Sequence, residues 1–122
     1  MSAVLRAVRG ATTVGEDVSE QVSARVKRLI EAICERNEIA HDDIVSILFT
    51  ATKDIHSVFP AAAARELGLG DVPLICAREL DILDATPLCI RVLMHCYTER
   101  SRRELHHVYL EGASGLRDDL PD

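Results

Sequence analysis

Leu88-Cys89-Ile90-Arg91-Val92-Leu93-Met94-His95-Cys96-Tyr97-Thr98 is the stretch on which the fold turns. Its period of two puts Leu88, Ile90, Val92, Met94 and Cys96 on one face of a long strand, and Cys89, Arg91, Leu93, His95 and Tyr97 on the other. The first face is apolar and reads as core. The second carries an arginine among apolar neighbours, and a guanidinium keeps its proton under ordinary conditions, so it must find a carboxylate, a phosphate or a ligand anion. The second face is therefore where a ligand is expected.

Working outward, Leu5 to Val14 reads as a strand that turns at Gly15. Asp17 with Glu20 three positions on forms a capping box. Val18, Val22, Val26, Leu29, Ile30, Ile33 and Cys34 then recur at helical spacing, predicting one apolar stripe on a helix that ends near Asn37. Ile44 to Thr50 is a nearly continuous apolar run suited to a buried strand. Pro60 opens a short helix through Leu67 that closes at Gly68. A strand at Leu74-Ile75-Cys76, an irregular link from Asp81 to Pro87, a helical turn at Ser101 to Leu105 and a final strand from His106 to Leu110 complete the order β-α-β-α-β-β-β. The fold class is α+β with a mixed sheet packed against helices, in one domain over residues 1–122, with a flexible tail from about 112.

Composition narrows the function. The 122 residues are 48% apolar but only 3% aromatic, and the formal charge is −6. An acidic chain poor in aromatics suits neither the phosphates of a nucleic acid nor base stacking. No segment approaches the roughly 20 apolar residues of a membrane span, and no apolar signal region opens the chain. Cys34, Cys76, Cys89 and Cys96 lack C-x-x-C spacing, so neither a zinc site nor a disulfide framework is indicated and reduced thiols in a cytoplasmic protein are expected. Adjacent His106 and His107 on a strand point to opposite faces and do not share an ion. No Gly-rich run precedes Lys-Ser or Lys-Thr, which argues against a nucleotide loop. The arginines outnumber the lysines twelve to two, a bias best assigned to genome composition.

Residue by residue, bland readings compete with functional ones. Arg91 either snorkels or pairs with a buried acid, or it holds a ligand. Arg9, where the first strand meets a turn, is either a solvated strand end or a bidentate carboxylate clamp. Glu79 is either a surface acid or part of a site, and Tyr109 either packs with a wet tip or offers its hydroxyl to a ligand. Cys76 reads as a small buried hydrophobe.

Seven segments taken together tip the balance: Val8-Arg9-Gly10-Ala11-Thr12-Thr13-Val14, Phe59-Pro60-Ala61, Ala64-Arg65-Glu66-Leu67, Val72-Pro73, Cys76 with Glu79, Cys89-Ile90-Arg91-Val92, and His107-Val108-Tyr109-Leu110-Glu111. In this collinear order, from about Leu5 to Leu120, the chain resembles the monofunctional chorismate mutases of the AroH class, the Bacillus type. The resemblance implies a homotrimeric pseudo-α/β-barrel with an active site at each subunit boundary, and the Claisen rearrangement of chorismate to prephenate on the route to phenylalanine and tyrosine, a reaction that needs no metal and no cofactor.

The resemblance also implies roles. Arg91 faces the ether oxygen, Arg9 a substrate carboxylate, Glu79 the ring hydroxyl, and Tyr109 a carboxylate. Cys76 lies beside them with Ile75, Ala77 and Arg78, Phe59 and Arg65 line the mouth, and Leu116 and Arg117 match a tail that orders over the ligand. Two departures stand out: the family's lysine between Phe-Pro and the arginine is Ala62 here, and the Gly68-Leu69-Gly70-Asp71 turn is shorter. The alternative function is a non-catalytic trimer that binds a small carboxylate in the same pocket. A third possibility, a purely structural module, requires Arg91 to be paired internally in a closed cleft.

Overall fold

The long strand lies at the centre of the sheet. The computed structural model describes residues 2–116, in which β1 (Val4–Thr13), β2 (Ile44–Ala51), β3 (Leu74–Arg78), β4 (Cys89–Thr98) and β5 (Val108–Tyr109) form one sheet in the order β3-β2-β4-β1-β5. β4 runs antiparallel to both β1 and β2, while β3 pairs parallel to β2 and β5 parallel to β1. The helices α1 (Ser19–Asn37) and α2 (Pro60–Glu66) make the two crossovers, as parallel strands require. The expected mixed α+β architecture and its element order are present.

α1 buries Val22, Val26, Leu29, Ile30, Ala32 and Ile33, the predicted stripe without its ends Val18 and Cys34, which are half-buried. Each full burial of such a Val, Leu or Ile is worth about 1.5–3 kcal/mol. The helix stops where Glu38 turns left-handed at φ 53°, and the Cys34 carbonyl is taken up by the Ile39 amide at 2.9 Å. On the facing side of the sheet, Val8, Phe49, Ile90, Val92 and Met94 are almost wholly inaccessible. Gly10 lies on this face for want of room: a Cβ there would stand 2.8 Å from Ile33 Cδ1, 3.1 Å from Leu29 Cδ1 and 3.2 Å from the Val108 carbonyl oxygen. Gly10→Ala is expected to destabilise the fold by about 1–3 kcal/mol, the usual toll of overpacking, read as a lowered urea midpoint with an unchanged m-value.

Two local expectations give way. The capping box does not form, since no side chain caps α1; the Asp17 carboxylate instead accepts the amides of His56 at 2.8 Å and Ser57 at 3.2 Å. Those bonds and one from the Ser57 side chain, the largest influence, hold its carboxyl below the usual range. A distant loop thus outcompetes the adjacent helix terminus for this acceptor. A capping box does occur at Ser101 with Glu104, around the short 3-10 turn Arg102–Glu104. The last strand is also shorter than expected, Val108–Tyr109, and leads through Glu111 at φ 52° into a 3-10 turn over Glu111–Ala113. Of the expected flexible tail, residues 117–122, Arg117 included, lie outside the described residues.

No helix among the described residues is long and apolar enough to cross a membrane. The sheet face turned away from the helices is only partly covered. Leu5, Ile75 and Tyr97 on it are 51%, 64% and 49% exposed.

Candidate active site

Register places the polar residues of the open face side by side. Arg91 on β4 stands opposite Ala11 on β1 and Thr50 on β2, Leu93 stands opposite Arg9, and Tyr109 on β5 is level with Ala11. Glu79 follows the last residue of β3 and is anchored by its own amide to the Ala51 carbonyl at 2.9 Å. These elements enclose a cavity of about 240 Å3 lined by Arg9, Gly10, Leu48, Thr50, Glu79, Arg91, Val92, Leu93 and Tyr109. Four residues drawn from four separated segments of the sequence, Arg9, Glu79, Arg91 and Tyr109, therefore share one small chamber.

Inside it, Arg91 is paired but not satisfied. Its Nε lies 3.4 Å from Glu79 Oε2, close enough for Coulomb attraction, yet that buried Nε makes no hydrogen bond. Ion pairing and hydrogen bonding differ here because a carboxylate can neutralise a charge at a distance and angle that leave the N–H without an acceptor. The Arg91 side chain is 41% exposed, so its guanidinium opens onto the cavity rather than being sealed against an acid. Arg91 thus has the internal acid that a structural module requires, but among the described residues the cleft beside it is not closed.

The same Glu79 oxygen, Oε2, accepts a hydrogen bond from the Thr50 hydroxyl. Sequence reading missed this role for Thr50. Position in the sequence does not give it: Thr50 closes the apolar run Ile44 to Thr50, and only the pairing of β2 with β4 sets it opposite Arg91.

The base of β4 is fixed by the loop that follows β2. Thr52 Oγ1 accepts the Cys89 amide at 3.0 Å, the Thr52 amide donates to the Cys89 carbonyl at 3.0 Å, and Asp54 Oδ2 accepts the Leu88 amide at 2.9 Å. Leu88 sits at φ 50°, an uncommon conformation for a side chain with a Cβ, and these bonds together with Val14 N–H to the Leu88 carbonyl at 3.0 Å keep it there. Burial tends to raise the Asp54 carboxyl, but the Thr52 hydroxyl and the Leu88 amide outweigh it and leave it below the ordinary range. Two residues before Arg91 the chain is thus clamped from both neighbouring strands.

The remaining candidates gather elsewhere. Phe59, Cys76, Ala77 and Arg78 line a larger cavity of about 610 Å3 with Ala51, Thr52 and the loop Ile55 to Pro60. Phe59 is 71% exposed, and Arg65 is exposed on α2. Cys76 pairs with the core residue Phe49, so parity directs it to the helix side of the sheet, away from Arg91. Ile75, exposed on the open face, lines neither cavity. Leu116 packs with Tyr109 against a small cluster of Ala11, Cys89 and Ala113. Within one chain, then, Arg9, Glu79, Arg91 and Tyr109 meet, while Phe59, Cys76, Ala77 and Arg78 form a second group.

All four cysteines are free thiols. Burial pushes Cys34 up to about 11 and raises Cys89 and Cys96, which makes them poor nucleophiles near neutrality. Among the described residues no three His, Cys, Asp or Glu side chains cluster as metal ligands do.

Comparison with known proteins gives the family. Residues 5–120 match the family model of chorismate mutase type I. The chain is 43% identical over 118 residues to the chorismate mutase AroH of Bacillus subtilis, covering 96% of this chain and 93% of that protein. It is 39% identical to the chorismate mutase AroH of Thermus thermophilus, with 96% and 97% covered. Among solved structures, a chorismate mutase from Clostridium thermocellum superposes with a TM-score of 0.88 at 41% identity, covering 89% of this chain and 97% of that one. With the fold, the length and the order of the segments all shared, this chain belongs to the type I chorismate mutase family.

Proposed function

We propose that the chain is a cytoplasmic chorismate mutase of aromatic amino acid biosynthesis, an isomerase that converts chorismate to prephenate. The observation that carries the reading is the buried, acceptorless Nε–H of Arg91 beside Glu79 in an open cavity. In the rearrangement one C–O bond breaks as one C–C bond forms, negative charge grows on the ether oxygen, and a compensating positive charge spreads over the ring. No proton is transferred and no covalent intermediate with the protein is needed. What remains for the protein is to hold a flexible dicarboxylate in its reactive conformer and to meet the developing charges with fixed ones.

Each residue then has a task. Arg91 offers its N–H groups to the ether oxygen, and the Glu79 carboxylate, braced by Thr50, lies toward the ring hydroxyl and the positive charge. Arg9 and Tyr109 hold substrate carboxylates. Cys76, Ile75, Ala77, Arg78, Phe59, Arg65 and Leu116 complete the enclosure in the assembled protein.

The assembly proposed is a homotrimer with a composite site at each subunit boundary. Two facts support it: the candidates fall into two separate groups within one chain, and the large apolar side chains of Phe59, Ile75, Leu80 and Leu83 are left exposed. Surface of that kind marks a contact between chains. Phe59 and Arg65 of one protomer would close the Arg91 chamber of its neighbour.

The purified protein is expected to convert chorismate to prephenate and to have the solution mass of three chains. Chorismate bound but unchanged would instead identify a non-catalytic carboxylate-binding protein. Because no group transfers a proton, kcat is expected to be flat across neutrality; a bell-shaped kcat profile centred near pH 7 would point to other chemistry.

A further inference from the structure

His107 stands immediately before β5, where β5 has not yet begun to pair with β1; the ladder starts at Gly10 with Val108. The Arg9 amide, one residue short of that ladder, donates to His107 Nδ1 at 3.0 Å. An imidazole thus supplies the acceptor that a strand carbonyl would otherwise give, and it must be neutral with its proton on Nε2 to do so.

The backbone that delivers this ring is itself fixed. Asn37, only 1% exposed at the end of α1, accepts the His106 amide on Oδ1 at 2.7 Å and donates from Nδ2 to the His106 carbonyl at 2.9 Å. The same Nδ2 donates to the Ile33 carbonyl at 2.9 Å. From α1 through Asn37 and His106 to His107, a rigid path ends at the backbone of Arg9, whose side chain lines the chamber of Arg91 and Glu79.

We infer that His107 is a positioning residue, which holds the backbone of Arg9 so that its guanidinium meets a substrate carboxylate and which releases that hold when its ring is protonated. The inference rests on the chorismate mutase reading. Protonated Nδ1 becomes a donor facing a donor, so the bond exists above the imidazole range, near pH 6.5 for an ordinary histidine, and is lost as pH falls through it. Among the described residues, the titratable and charged groups that line the adjoining cavity with His107 are Arg6 and Arg9 of β1, His95 of β4 and Arg102 of the following turn. A carboxylate contact is made in ground state and transition state alike, so its weakening belongs in KM, with kcat flat.

The test is steady-state kinetics from pH 5.5 to 8 on wild type, His107→Asn and His107→Leu. Asn places an oxygen where Nδ1 stands but does not titrate, whereas Leu removes the acceptor. Wild-type KM is expected to rise about 3- to 10-fold toward pH 5.5, the worth of one neutral hydrogen bond. His107→Asn should keep KM near the wild-type value at pH 8 and lose the acid limb; His107→Leu should carry the raised KM at every pH. Nitrogen NMR of the imidazole should find Nδ1 unprotonated at pH 8, independently of activity. An acid limb that survives in His107→Asn, a wild-type KM in His107→Leu at pH 8, or a proton on Nδ1 overturns the inference alone. A wild type that does not turn over chorismate at pH 8 overturns the enzyme reading and the inference with it.

Discussion

Arg91→Ala is expected to lower kcat about 100- to 1000-fold while leaving the fold intact. The magnitude is that of one preorganised donor aimed at developing negative charge, about 2.7–4 kcal/mol of activation free energy. The side chain is well placed to act that way. Its Nε–H is withdrawn from water and has no acceptor, so an ether oxygen entering the cavity does not compete with an existing bond. The backbone behind it cannot drift, because Leu88 and Cys89 are tied to Asp54 and Thr52.

Folding is spared because Arg91 lies on the partly covered face, 41% exposed, and not in the helix-facing core. Its partner Glu79 keeps the Thr50 hydroxyl when the guanidinium is gone. Arg91→Lys makes the expectation sharper, since it keeps a charge but loses the planar Nε–H, and should remain much closer to Arg91→Ala than to wild type. Single-turnover rates with circular dichroism of each variant are the measurements. Near-normal turnover in Arg91→Ala would remove the oxygen-stabilising role altogether.

What the sequence made legible was what repeats locally. The alternation from Ile90 to Cys96 and the stripe from Val22 to Ile33 each report one element and one buried face, and both faces are buried as read. Pairings between distant residues leave no such trace. Asp17 three residues before Glu20 has the spacing of a helix cap, but nothing local says that the amides of His56 and Ser57 will claim it. Thr50 bracing Glu79 and His107 holding Arg9 join positions 29 and 98 residues apart, so they depend on strand order, which periodicity does not determine. The site residues themselves were found through the family pattern, and that pattern is silent on which of them one chain can bring together.

That division sets up the second large effect. Arg91→Ala disables the chamber of Arg9, Glu79, Arg91 and Tyr109, and a Phe59→Ala/Arg65→Ala chain disables the other group. Loss of a charged hydrogen bond from Arg65 costs about 1.5–3 kcal/mol, so the second variant should also be badly impaired. If each site takes its Arg91 half from one protomer and its Phe59 half from the next, chains unfolded together and refolded as an equal mixture assort at random. A site is intact when its first half comes from the second variant and its second half from the first, one chance in two for each, so about a quarter of the sites recover. Activity should therefore climb from about 1% or less of wild type in Arg91→Ala, and from at most several per cent in the other variant, to about a quarter of wild type in the mixture. Were both groups to act within one protomer, every chain would carry one disabled half, no combination would restore a site, and the mixture would show only the average of its parts. The 71% exposure of Phe59, which lines a different cavity from Arg91, favours the first outcome, because an aromatic ring left that open in one chain has its partner surface on another.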